Sequence, residues 1–147
     1  MKNIPIGQIL VENGFLKEEQ LNEALEKQRT EPGKKLGDVL LELGYVSETQ
    51  LAQALSIRLK VPFIDLTTTK IDIEAVKKIP EAIAKKNCCV AFQMTDSRLT
   101  VATDDPINFY IFEELKVISG MEIHAMIATR TAIKQGVFTA DRKQRYG

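Results

Sequence analysis

The sequence predicts an α+β protein: a helical tandem-repeat subdomain over residues 1–60, a small α+β subdomain over 61–141 with a β-hairpin and a third strand, and a polar tail over 142–147. Three observations predict it. Residues 5–28 and 35–58 align without a gap at an offset of 30, with nine of the 24 paired positions identical. Both copies carry apolar residues at helical spacing. Beyond Pro62 the pattern changes to short apolar runs punctuated by turn residues, mixed with further helical stretches.

The identical pairs are Gly7/Gly37, Leu10/Leu40, Glu12/Glu42, Gly14/Gly44, Glu18/Glu48, Gln20/Gln50, Leu21/Leu51, Ala24/Ala54 and Leu25/Leu55. A unit of this size is a supersecondary module copied in tandem. In the first copy Ile6, Ile9, Leu10 and Asn13 keep helical spacing, and Gly14 stands where a left-handed residue ends a helix. Leu36, Val39, Leu40, Leu43 and Gly44 repeat that pattern. An apolar pair follows, Phe15-Leu16 or Tyr45-Val46, and a second helix opens at Lys17 or Ser47. Ser47 and Gln50 fit a capping box. Lys17 has no acceptor to cap with, which predicts a weaker start in the first copy. Leu21, Ala24, Leu25 and Gln28 form the stripe of that helix, matched by Leu51, Ala54, Leu55 and Arg58. Leu10, Leu21, Leu25, Leu40, Leu51 and Leu55 are expected to be largely buried. Thr30-Glu31-Pro32-Gly33 is the turn between copies.

In the second half, Val61–Leu66 reads as a short extended segment and Thr67–Lys70 as a loop. Ile73–Ile79 reads as a short helix capped by Asp72, and Glu81–Lys86 as a helix begun by Pro80. Cys89–Met94 and Leu99–Thr103 read as a hairpin across Thr95–Arg98. A helix over Phe109–Ser119 stopped by Gly120, a strand over Glu122–Ala128 and a helix over Thr131–Phe138 complete the order.

The totals narrow the function. Twenty basic residues balance twenty acidic ones, so no global field favours a nucleic-acid polymer or an anionic membrane. No apolar run approaches the roughly 20 residues that span a bilayer, and the start lacks the long apolar stretch of a signal peptide. A cytoplasmic location is therefore expected. Cys88-Cys89 is neither a CxxC redox spacing nor a zinc framework, and reads as core. His124, the single histidine, makes a poor metal site alone. The chain carries no GxxxxGK[ST] loop, GxSxG or HExxH, and Asp104-Asp105 reads as a surface turn. A dyad of His124 with either cysteine lacks a thiolate-activating context. Catalytic and metal residues are none.

The repeated motif offers two readings. Gly in a first turn lets a ligand or a neighbouring backbone approach, and helix N-terminal amides attract phosphate. The pairs Leu10-Val11 and Leu40-Leu41 then offer apolar faces to flat bases. Alternatively the glycines serve tight helix packing and the leucines the core.

These copies resemble the tandem 24-residue motif of the MshEN-type domain, the N-terminal domain of type II secretion and type IV pilus assembly ATPases (the GspE/PilB family). The motif falls on Ile6, Gly7, Leu10, Val11, Gly14, Leu21, Leu25 and Gln28, and again on Leu36, Gly37, Leu40, Leu41, Gly44, Leu51 and Leu55. Val61–Leu66, Leu99–Ala102 with Asp105-Pro106, and the helix ending at Gly120 are similar to the family's remaining marks. The resemblance covers about residues 4–140.

It implies a non-catalytic regulatory and docking domain without a resident cofactor. The partners it implies are the cytoplasmic domain of an inner-membrane platform protein and the motor ATPase. The alternative it implies is a sensor binding cyclic di-GMP, as a subset of the family does. The ligand residues would be Ile6, Gly7, Leu10, Val11, Gly14 and Gln28 in the first copy, and Lys35, Leu36, Gly37, Leu40, Leu41, Gly44 and Arg58 in the second. The chain departs from the motif at its polar ends. Pro5 and Lys35 stand where the motif has Arg, and Arg58 where it has Gln. Pro5 has neither charge nor amide proton, and Lys35 lacks the planar fork. Lys34 and Arg58 are the substitute phosphate partners.

Overall fold

The structure is a computed structural model that describes residues 5–106 and 109–137, and the chain divides into two units between Lys60 and Val61. Lys60 ends the last helix of the first unit in the left-handed region, at φ 56°.

The first unit holds α1 (Ile6–Glu12), α2 (Glu18–Arg29), α3 (Leu36–Glu42) and α4 (Glu48–Leu59). The 30-residue offset survives in the backbone. Gly14 and Gly44 take φ of 76° and 75°. The Phe15 amide donates to the Leu10 carbonyl at 2.9 Å and the Gly14 amide to Val11 at 3.0 Å. Tyr45 to Leu40 and Gly44 to Leu41 repeat both bonds at 3.1 Å. This paired closure is a Schellman cap, which needs a residue free to take positive φ.

The second-helix starts differ as the sequence predicts. Ser47 Oγ accepts from the Gln50 amide at 3.1 Å, and Gln50 Oε1 accepts from the Ser47 amide at 3.0 Å. In α2 Gln20 Oε1 accepts from the Lys17 amide at 3.0 Å, but Lys17 supplies no side-chain cap. Helices pack across the copies, α1 on α4 and α2 on α3. The core is Ile9, Leu10, Leu16, Ala24, Val39, Leu40, Val46 and Ala54.

One expectation about this core needs correction. Leu10 and Leu40 are fully buried, but Leu21, Leu51 and Leu55 are only half-buried and Leu25 is exposed. Short helices in a small unit bury a narrow stripe. Ala24 occupies its centre in α2, and Leu25, 100° further round, falls on the flank.

The second unit is an α+β arrangement on a three-stranded sheet of order β1 (Cys89–Met94), β2 (Arg98–Thr103), β3 (Glu122–Ile127). Strands β1 and β2 pair antiparallel and β3 lies parallel to β2. A parallel neighbour needs a crossover, which α5 (Ile73–Val76) and α6 (Glu81–Asn87) precede and α7 (Phe109–Ser119) supplies. A last helix, α8, runs over 130–137. The extended segment predicted at Val61–Leu66 adds a bridge from Phe63 to Ile127 at the free edge of β3.

Five boundaries move: α6 runs one residue past Lys86 to Asn87, and the other four shift for local reasons. The helix expected over Ile73–Ile79 stops at Val76, because Pro80 disfavours helical geometry just before it. Arg98, expected in the hairpin loop, joins β2 because it pairs with Glu122 of β3. Strand β3 ends at Ile127 rather than Ala128. The last helix begins a residue earlier than Thr131, with Thr129 Oγ1 accepting from the Ala132 amide at 3.2 Å. Phe138 and the tail over 142–147 lie outside the described residues.

The core of this unit is built on Phe92, Leu99, Val101, Leu115 and Ile133, all buried to within 1%. The register of β1 slips between Ala91 and Gln93, and the Phe92 carbonyl accepts from the Asp72 amide at 2.9 Å. The bulge thus ties the α5 cap to the sheet.

Candidate functional site

The repeated motif places its glycines against its own leucines. A β-carbon on Gly7 would stand 2.6 Å from Leu21 Cδ1, and one on Gly37 would stand 3.0 Å from Leu51 Cδ2. Both distances are below ordinary van der Waals contact, so these glycines make room for the leucine side chain that the second helix of the same copy sets on them. Gly7 is buried and Gly37 half-buried, while Gly14 and Gly44 are exposed cap residues.

The aliphatic positions divide in the same way in both copies. Leu10 and Leu40 have no exposed surface and serve the core, so they offer no face to a base. Ile6 and Val11, with Leu36 and Leu41, are half-buried and give each copy its accessible apolar surface.

The polar ends are engaged. Gln28 Nε2 donates to the Lys34 carbonyl at 3.0 Å, so the closing residue of the first copy holds the chain just before α3. Lys34 Nζ bonds Glu42 and lies 3.6 Å from Glu31, and Lys27 Nζ lies 3.9 Å from Glu42. The hydrogen bond to Glu42 raises the Lys34 ammonium above its ordinary value, and the same bond lowers Glu42. Lys35 is the N-cap residue of α3 and exposed. Arg58 is half-buried, and its Nε is buried without a hydrogen-bond partner among the described residues. Pro5 is exposed at the N-cap of α1. Tyr45 donates its hydroxyl to Glu23 of α2, a bond that raises the phenol above its ordinary value.

Sequence reasoning missed the Lys27–Glu31–Lys34–Glu42 network. Glu31 and Lys34 are a local pair three residues apart, but Glu42 meets Lys27 and Lys34 only through the packing of α2 on α3.

The other candidates do not assemble into chemistry. Cys88 caps α6 at φ 48° and Cys89 is fully buried in β1. Burial is the main force pushing the thiols up, to about 11 and about 12, with Asp104 adding for Cys88 and Cys88 for Cys89. His124 is exposed on β3 opposite Thr100, whereas Cys89 sits opposite Thr103, roughly 10 Å along the sheet. Asp104 is tied to Arg130 Nε at 2.9 Å. Among the described residues no group of three or more His, Cys, Asp or Glu is arranged to hold a metal. None of the described helices is long and apolar enough to cross a membrane.

The MshEN domain family matches residues 59–137, more than half the chain, and the chain belongs to that family. The matched span begins just past Arg58, so the likeness over the tandem motifs comes from whole-domain comparisons.

The type IV pilus assembly ATPase PilB of Myxococcus xanthus is 28% identical over 132 residues, covering 90% of this chain and 23% of its own length. The chain thus spans under a quarter of that curated relative. A solved structure of MshE with cdg superimposes with a TM-score of 0.78 at 33% identity, covering 93% of this chain and 99% of that one. The N-terminal domain of XpsE gives 0.69 at 21% identity, covering 94% and 97%, a likeness of fold.

Proposed function

We propose that this chain is a non-catalytic docking and regulatory domain of a secretion or pilus-assembly ATPase, working in the cytoplasm. Its partners are the cytoplasmic domain of an inner-membrane platform protein and the motor. The observation that carries this reading is the extent of the match. The chain corresponds to nearly the whole of the MshE chain and to less than a quarter of the PilB ATPase. Co-purification of the chain with the platform domain and with the cognate motor tests it. A specific complex with either supports the reading, and no complex with either overturns it.

A second reading is favoured by the 33% identity to the MshE structure with cdg. On that reading the chain binds cyclic di-GMP across the two motifs. The accessible aliphatics Ile6, Val11, Leu36 and Leu41 supply apolar contact, and Gln28, Lys34, Lys35 and Arg58 supply polar contact. Gly7, Leu10, Gly14, Gly37, Leu40 and Gly44 shape the frame. Pro5 weakens this site because it supplies no guanidinium for a bidentate phosphate contact. Calorimetry decides: micromolar or tighter heat supports sensing, and no heat at high dinucleotide concentration ends it.

A further inference from the structure

Helix α7 presents an outer face that the second unit does not cover. Leu115 is fully buried on its inner side and Ile111 and Phe112 are half-buried there. On the opposite side Tyr110 is 90% exposed and Val117 82% exposed. Seven residues apart, they lie two turns from each other, roughly 10 Å along the axis and nearly in line. Glu113 and Glu114 are exposed between them, and Ile118 borders the strip at 38% exposure. Lys116, the basic residue of this helix, lies at the flank roughly 100° round from Val117.

Tyr110 and Val117 align on one side of α7 with Ile118 at their border, so the exposed apolar surface is grouped as at interaction sites rather than scattered. The acidic pair between them selects the occupant. Two copies facing each other across this strip would bring four carboxylates together, and an anionic lipid surface would be repelled. A cationic surface is matched at both the apolar ends and the acidic middle.

We infer that the Tyr110–Val117 face of α7 is a docking surface for a basic amphipathic helix of a partner protein. The helix sets apolar side chains on Tyr110 and Val117 and lysines or arginines on Glu113 and Glu114. It lies on the second unit and uses none of the tandem motifs, so it stands or falls separately from the platform and dinucleotide readings. The contact area of one helix face is at the small end for protein interfaces, so a weak, transient complex is expected.

The test is titration of the isotopically labelled chain with a designed amphipathic peptide carrying leucines two turns apart and lysines between them. Amide shifts confined to residues 109–119 and the strand beneath them are expected. Tyr110→Ala with Val117→Ala should weaken binding by about tenfold or more. Glu113→Lys with Glu114→Lys should abolish binding of the lysine peptide and create binding of its glutamate counterpart. All four positions are exposed, and circular dichroism confirms that the variants fold. The inference is overturned by no shifts at millimolar peptide or by shifts indifferent to the charge swap. Self-association or anionic-vesicle binding that is lost in the Tyr110/Val117 variant overturns it in favour of a second copy or a membrane.

Discussion

Leu21 closes directly over Gly7, so that a β-carbon on the glycine would stand 2.6 Å from the leucine Cδ1. The copied pair Gly37 and Leu51 stands slightly looser, at 3.0 Å. The glycine of the motif is thus a packing residue in both copies, and the two copies differ in how tightly they use it.

Gly7→Ala should therefore destabilise the chain by about 1–2 kcal/mol, since Leu21 must leave its rotamer. Gly37→Ala should stay within about 1 kcal/mol of neutral, its looser contact offset by better helix propensity. Adding Leu21→Ala removes the obstruction, so Gly7→Ala should cost nothing further in that background. Urea unfolding of the three variants and the double mutant checks the order. Stabilisation by both single alanines would show that packing does not require glycine there.

The Schellman caps predict a matched pair of losses. Gly14→Ala and Gly44→Ala should each cost about 1–2 kcal/mol, because an L side chain meets its own carbonyl in the left-handed region. Asn at either position should cost less than Ala. Thermal melts read both, and unequal losses would mean that the repeat is not symmetric at its caps.

The cysteines should be inert and pH-linked. At pH 7 alkylation in the folded chain should be slow, half-buried Cys88 reacting ahead of buried Cys89, and fast once urea is added. The folded thiols titrate near 11 and 12 and the unfolded ones near 9.0. Between those values the unfolded chain has released protons that the folded chain retains. Stability is then full below pH about 9 and falls as pH rises toward 11 and 12. The fall should be shallower in Cys88→Ser than in the parent. A curve that rises over this window would contradict the burial of the pair.

Much of the fold was legible because local chemistry wrote it twice. Gly14 and Gly44, Ser47 with Gln50, and Pro32-Gly33 each announce a boundary that needs no tertiary information. What the sequence could not show is which member of an apolar pair faces in. Leu25 and Leu10 look equally hydrophobic, yet one is exposed and the other fully buried, a distinction set by how short helices cross. The candidate site was legible as a list of positions and not as an arrangement. Gln28 and Lys34 look like polar ends aimed at a ligand, and the fold turns them toward a carbonyl and two carboxylates of the same unit.

That engagement carries a prediction about the dinucleotide. On the reading in which the chain binds cyclic di-GMP, a phosphate that recruits Lys34 must displace Glu42, so Glu42→Gln should tighten that binding several-fold at low salt, less so at high salt. Acidification acts in the same direction: the Lys34 bond lowers Glu42, so the pair holds at neutral pH and loosens as pH falls through its lowered value. Calorimetry of parent and variant across salt checks this, and weaker binding in Glu42→Gln would place Glu42 in the ligand shell instead.

The central claim is docking without catalysis, and it is tested most directly by titrating this chain with the platform protein's cytoplasmic domain in the absence of nucleotide. A one-to-one complex of about micromolar affinity is the expected result. No complex at about a hundredfold higher concentration, with cyclic di-GMP binding intact, would make the chain a sensor and contradict the account.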